Sequence, residues 1–253
     1  MFDLIEYDEL DSTNNEAKRL VREGNASELH GTVITARRQT AGRGRMGKGF
    51  FSPDGNSIYA TFILPPPESP EGQLITALAA VAVCEAIEKT TPYKPEIKWV
   101  NDVLVDGKKI CGILAETIQD STSQSAVVLG IGVNINLNEN DLPDELKDIA
   151  GSLRMNEEER VKFFEVFIES VFCCLSCQTD GQGEETLSDV KSLMDSYSKR
   201  SILIGKNVFV LRADEKRPAT ALGIAEDGAL IVEYEDGTSE ELRTGDVSIR
   251  LIK

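Results

Sequence analysis

Residues 39–50 read QTAGRGRMGKGF, in which Gly42, Gly44, Gly47 and Gly49 are interleaved with Arg43, Arg45 and Lys48 and no acid intervenes. Small residues let a backbone approach a ligand closely. Guanidinium groups grip carboxylate or phosphate in bidentate fashion, and an ammonium adds a point charge. The chain carries a formal net charge of −16, so these cations must act locally, on an anion brought to the loop. Two further stretches concentrate polar chemistry. KWVND (98–102) sets a lysine, an indole, an amide and a carboxylate at one strand end, and GIGVNIN (130–136) places Asn134 in an apolar strand. A buried amide needs partners, and a ligand can supply them. Lys108 and Lys109 follow a turn, and strand alternation sends them to opposite faces.

Several chemistries are excluded. GRGRMG (42–47) is a literal G-x-G-x-x-G, but FFSPDG leads from it into a strand, whereas a dinucleotide site needs a helix there. A protein kinase places such a loop between strands, yet H-R-D and D-F-G are absent, as is the G-K-[ST] of a Walker loop. His30 is the only histidine, which argues against a His-based triad or multi-His metal centre. The odd cysteine count, with CCLSC at 173–177 on an apolar helical run, reads as packing, not as disulfides or a metal site. No long apolar run or secretory signal pattern appears, so we expect a cytoplasmic protein; the acidic balance disfavours nucleic acid and membrane surfaces.

The elements that must position these residues are legible in outline. A helix spans 12–25, with Thr13 and Glu16 matching a capping box. Strands follow at 31–36 and 56–64, the second ended by Pro65, Pro66 and Pro67, and then a long apolar helix at 71–90. Asp106-Gly107 signals a hairpin, and 125–136 is an apolar strand. An amphipathic helix capped by Asn156 covers 156–175, a polar loop 178–186, and another helix 187–198. From Gly205, short strands separated by EDG, EDG and TGD suggest a small β-barrel. The expectation is an α+β fold, a mixed sheet covered by helices, with a catalytic domain over 1–200 and a small SH3-like β-barrel over 201–253.

DSTNNEA, RRQTAGRGRMGKGFFSP, KWVNDVLVDGKKICGILAE and GIGVNIN, in that order, resemble the signature segments of biotin–protein ligases, and the C-terminal strands resemble that family's last domain. The resemblance implies a class II synthetase-like fold of the biotin–lipoate ligase type. It also implies a ligase that converts biotin and Mg-ATP to biotinyl-5′-AMP and transfers biotin to one lysine of a carrier domain in a biotin-dependent carboxylase or decarboxylase. Carried over by position, Ser12, Thr13, Asn14 and Gln39 would meet biotin. Gly42, Arg43, Gly44 and Arg45 would form a loop ordered by ligand, and Lys109, beside Gly112, would touch the reacting carboxyl and phosphate oxygens. Arg43, Arg45, Lys48, Phe50, Asn101, Asp102 and Asn134 would serve the nucleotide, with Asp102 toward Mg²⁺ and Lys109 and Arg43 as the catalytic pair.

The chain departs from the family pattern at Val100, where proline is frequent, and at Phe50, where tryptophan is common and a phenyl ring can still stack on adenine. Lipoate ligases differ in the loop, where a glycine triplet and a downstream histidine are usual. The start one strand before DSTNN leads us to expect the type without an N-terminal DNA-binding domain. Homodimers are common in the family.

Overall fold

The computed structural model describes residues 2–53, 55–66, 73–176, 185–212, 215–243 and 247–251. Pro67, Cys177, most of the polar 178–186 stretch and the TGD turn at 244–246 lie outside them. The chain divides into two compact units, residues 1–72 with 104–166, and residues 73–103 with 167–253.

In the first unit, β1 (Asp3–Leu10), β2 (Thr32–Gln39), β3 (Ser57–Leu64), β6 (Lys108–Gln119) and β7 (Ser125–Asn134) form a mixed sheet ordered β1-β2-β3-β7-β6. β1 and β2 run parallel and the other neighbours antiparallel. Every residue of β3 is buried, as befits a strand central to the sheet. Helix α1 (Thr13–Glu23) lies on this sheet, with Ala17 and Val21, one turn apart, packed on Ile34, Ile63, Ala126 and Val128. The end of β5 (Asp102–Val105) turns into β6 through Asp106 and Gly107, with φ of 51° and 74°. Two consecutive left-handed residues make the tight hairpin expected of Asp-Gly. A short helix α3 (Asp144–Lys147), which no periodicity announces, precedes α4 (Glu157–Ser176). Asn156 caps α4 as expected: its Oδ1 accepts from Glu159 N at 3.0 Å, and Glu159 Oε2 accepts from Asn156 N at 2.8 Å.

The capping box expected at Thr13 is not formed. Ser12 is the N-cap, with no side-chain capping bond, and Glu16 instead accepts from Tyr7 and Arg19. Thr13 is drawn away because Gln39 Oε1 accepts from its N–H at 2.8 Å.

Asp120 ties the hairpin end of β6 to the segment after α1. Its carboxylate accepts from Ala26 N (3.0 Å), Thr122 N (2.8 Å), Thr122 Oγ1 (2.8 Å) and Gln124 N (3.0 Å). The Ala26 bond, followed by the Thr122 and Gln124 bonds, outweighs burial and lowers its pKa to about 2. A carboxyl depressed on folding stabilises the fold above its unfolded pKa of about 3.9, and that stabilisation is lost as pH falls toward the folded value. Asp120→Asn should therefore be less stable than the parent at pH 6, with the gap narrowing between about pH 4 and 2. Urea melts across that range check this, and a gap independent of pH would refute it.

The second unit contains α2 (Gln73–Thr90), β4 (Glu96–Lys98), the beginning of β5, the rest of α4, α5 (Glu185–Arg200) and five C-terminal strands. These strands are β8 (Asn207–Arg212), β9 (Glu215–Ile224), β10 (Leu230–Tyr234), β11 (Ser239–Leu242) and β12 (Val247–Leu251), ordered β11-β10-β9-β8-β12 and antiparallel throughout. Helix α2 is buried almost all round and packs on α5, which explains its uniform apolarity. Trp99 is 5% exposed and donates its indole N–H to Gly228 O at 2.9 Å. On α4, Cys174 is buried and Cys173 exposed. Burial pushes the Cys84 thiol of α2 up to about 12, as expected of an inert core cysteine.

Candidate active site

The site in the first unit is built on one face of β3, β7 and β6. Register pairs Thr61 with Gly130 and Leu114 with Gly130, Tyr59 with Gly132 and Gly112 with Gly132, and Ser57 with Asn134. Residues two apart share a face, so Gly130, Gly132 and Asn134 follow one another along it. Gly112 and Gly132 form a bare floor under Phe50: a Cβ added at Gly132 would meet that ring at 2.6 Å, and one at Gly112 would meet it at 3.0 Å. Phe50 also stands edge-on to Tyr59, centroids 6.4 Å apart at 82°.

At one end of this floor the start of α1 delivers a polar cluster. Ser12, Thr13 and Asn14 are 1%, 4% and 4% exposed. The Thr61 hydroxyl lies 2.8 Å from both Thr13 Oγ1 and Asn14 Oδ1. Gln39 Oε1 accepts from Thr13, and Gln39 Nε2 donates to Ser52 Oγ at 2.9 Å. Asn14 Nδ2 donates to Leu114 O (3.4 Å) and Glu116 Oε2 (3.2 Å). At the middle, the Lys109 ammonium lies 3.1 Å from where a Gly112 Cβ would stand. Lys108 instead covers Gly151 and donates to Lys147 O, so the two lysines diverge. At the far end Asn134 Nδ2 donates to Gly151 O at 3.0 Å, while its buried Oδ1 and the Ser57 hydroxyl have no hydrogen-bond partner among the described residues.

The basic loop joins this floor. Thr40 N and Ala41 N donate to Leu10 O and Asp11 O, Phe50 N to Gly42 O, and Gly44 N to Lys48 O. Gly42 has no room for a side chain: a Cβ would lie 2.4 Å from Ser52 Oγ and 2.5 Å from Phe50 O. At the tip Met46 and Gly47 are left-handed, with φ of 54° and 71°, and Met46 is 62% exposed. Lys48 is exposed and Arg45 half-buried in this tip. Arg43 reaches back, donating to Asn15 Oδ1 (3.2 Å) and Glu116 Oε1 (3.0 Å).

The structure thus gathers Ser12, Thr13, Asn14, Gln39, Gly42, Arg43, Phe50, Lys109, Gly112 and Asn134 on or beside one sheet face. Gly44, Arg45 and Lys48 occupy the loop over it. Asn101 and Asp102, at the turn into β5, belong to the second unit. Sequence reasoning missed Thr61, Ser52, Lys18 and Glu116. Glu116 carried a detectable signal, since it lies four residues beyond Gly112 on a strand and so shares its face. Among the described residues no cluster of three His, Cys, Asp or Glu side chains forms a metal site, and no helix is long and apolar enough to cross a membrane.

A glycine floor flanked by buried amides, a lysine and an arginine-bearing loop is the kind of site that suits a compact ligand carrying an anionic group. Residues 8–134 match the Biotin/lipoate A/B protein ligase family, and residues 203–250 match the Biotin protein ligase C terminal domain. The Bacillus subtilis bifunctional ligase/repressor BirA is 37% identical over 236 residues, 92% of this chain and 70% of that protein. The biotin–[acetyl-CoA-carboxylase] ligase of Paracoccus denitrificans is 37% identical over 124 residues, 48% of this chain and 50% of that protein. A solved structure of the Aquifex aeolicus biotin protein ligase in complex with biotin and ATP shares 27% identity and a TM-score of 0.78, covering 100% of both chains. The chain belongs to the biotin/lipoate A/B protein ligase family, in its biotin–protein ligase branch.

Proposed function

We propose that this chain activates biotin with ATP and transfers it to a lysine of a biotin carboxyl carrier domain. The observation that carries the reading is the paired Gly112–Gly132 floor, with the buried Ser12, Thr13 and Asn14 at one end and Lys109 at its middle. The ureido head of biotin needs donors and acceptors at one end of an otherwise apolar trough, which Ser12, Thr13 and Gln39 supply. Asn14 commits both amide hydrogens to Leu114 and Glu116, so it acts mainly by shaping that end.

In the first step a biotin carboxylate oxygen bonds to the α-phosphorus of ATP, and the bond to the leaving pyrophosphate breaks. Both reactants are anions, so cations aimed at the phosphorus lower the barrier. Lys109 and Arg43 fill that role. In the second step the neutral acceptor amine attacks the acyl carbonyl, AMP leaves with the mixed-anhydride oxygen, and the amine proton passes to solvent. Until then the mixed anhydride must be kept dry, which is the task of the loop carrying Gly42, Gly44, Arg45 and Lys48. Phe50 would stack on the base, and the unpartnered Asn134 Oδ1 would accept from its amino group. Asn101 and Asp102 would attend the phosphates.

Mg²⁺ held largely by phosphates needs only one or two carboxylates from the protein. Asp102 would hold it, and the ion would supply neutralisation of the polyphosphate charge. The catalytic part would cover 1–200 and the C-terminal domain 201–253. The net charge of −16 disfavours binding to nucleic acid; the chain would work in the cytoplasm, and a homodimer is compatible with the family. The purified chain should form biotinyl-AMP from biotin and Mg-ATP without any acceptor. Mass spectrometry of the quenched mixture is the test, and absence of the adduct would overturn the reading.

A further inference from the structure

Three donors converge on the single carboxylate of Glu116. Its Oε1 receives Lys18 Nζ at 2.5 Å and Arg43 Nη2 at 3.0 Å, and its Oε2 receives Asn14 Nδ2 at 3.2 Å. Asn14 and Lys18 lie one helical turn apart on α1, so they face β6 together. The three cation and acid side chains differ in exposure: Lys18 13%, Glu116 22% and Arg43 44%. An acid beside a site for two anions is costly unless balanced. Burial alone would raise the Glu116 carboxyl, but hydrogen bonds from Lys18 and Asn14 and the charges of Lys18 and Arg43 hold it below its ordinary value.

We propose that Glu116 is a positioning residue: it latches the basic loop closed through Arg43 and couples that closure to Asn14 at the head of the ligand trough. The coupling to biotin rests on the ligase reading above; the latch itself does not. Lys18 is the standing partner, being the better buried of the two cations. Arg43 is the loop's own contact, 44% exposed, and its 3.0 Å bond to Glu116 is what ties the loop to β6. The same carboxylate fixes the Asn14 amide, so a disturbed head site loosens the loop and a lost loop contact loosens the head site. Neither a backbone acceptor nor a neutral amide could do both, since an amide has only one oxygen to share among three donors.

The test is Glu116→Gln in the full chain. Trypsin cleavage after Arg43 in the empty protein reads the latch directly, since cleavage follows the open population. It should accelerate about tenfold, because the loop loses its charged anchor while its few remaining bonds are exposed. Lys18→Met, which leaves Arg43 as the only cation on the carboxylate, should not accelerate it. Biotin affinity by calorimetry should fall about fivefold to tenfold in Glu116→Gln, while adenylate formation at saturating biotin and ATP changes less than about threefold. A cycle with Arg43→Gln guards against a general folding defect: if Glu116 acts through Arg43, the double variant binds biotin no worse than the weaker single variant. Cleavage of Glu116→Gln at the parental rate, or affinity losses that simply add, overturns the proposal. If the parent makes no biotinyl-AMP, the ligase reading falls, while the cleavage experiment still judges the latch.

Discussion

Gly130→Ala should reduce biotin affinity by at least about 100-fold, or some 2.7 kcal/mol. The added Cβ would lie 1.9 Å from Asn14 Oδ1, 2.7 Å from its Cγ and 3.0 Å from its Nδ2. No rotamer change of a flexible tip relieves this, because Asn14 is 4% exposed in the first turn of α1 and is tied to Thr61, Leu114 and Glu116. Moving it breaks buried hydrogen bonds, at about 1–3 kcal/mol for each group left unsatisfied. Overpacking adds about 1–3 kcal/mol more. Thr61 and Thr13 share the displaced network, so the whole head end of the trough shifts. Melting should fall by several degrees, at about 2–4 °C per kcal/mol for a chain of this size, yet the protein should remain folded at 20 °C. Titration calorimetry at that temperature decides the matter: biotin affinity within threefold of the parent would show that Asn14 does not shape the site. Gly44→Ala is the internal contrast, since its Cβ would approach nothing closer than 3.2 Å.

Lys109→Ala should slow adenylate formation by about 100- to 1,000-fold, the usual effect of removing one group that stabilises developing charge. Its ammonium stands over Gly112 at the middle of the trough, where the carboxyl end of a head-anchored biotin would lie. Negative charge concentrates on the phosphorus oxygens only as the attack proceeds, so the loss falls on the transition state more than on either substrate. Biotin affinity should change less than tenfold. Single-turnover quench with saturating biotin and Mg-ATP separates the two, and a rate within tenfold of the parent would remove Lys109 from the chemistry. Lys108 is the control, because it turns away to cover Gly151 and donate to Lys147 O; Lys108→Ala should leave the rate near parental.

Local sequence determined much of this protein. The apolar runs of β3, β7 and α2 were legible because burial on all sides demands unbroken apolarity. The Asp106–Gly107 hairpin was legible because few other residues accept two successive left-handed conformations. The residue types of the basic loop announced an anion, since that chemistry restricts which side chains can serve it, whereas Lys109 and the Ser12–Asn14 segment gained their roles only from the resemblance to biotin–protein ligases. What each side chain touches was decided only by the tertiary structure. Thr13 reads as a helix cap, yet Gln39, 26 residues away, supplies the acceptor that takes its N–H. Arg43 reads as a free anion binder, yet Glu116, 73 residues away, already holds it. Gly112 and Gly132 have no visible relation until the β6–β7 register sets them side by side. Composition and periodicity report the local demands on a residue. A register between strands or a donor meeting a distant carboxylate depends on how the whole chain closes, and no local pattern encodes it.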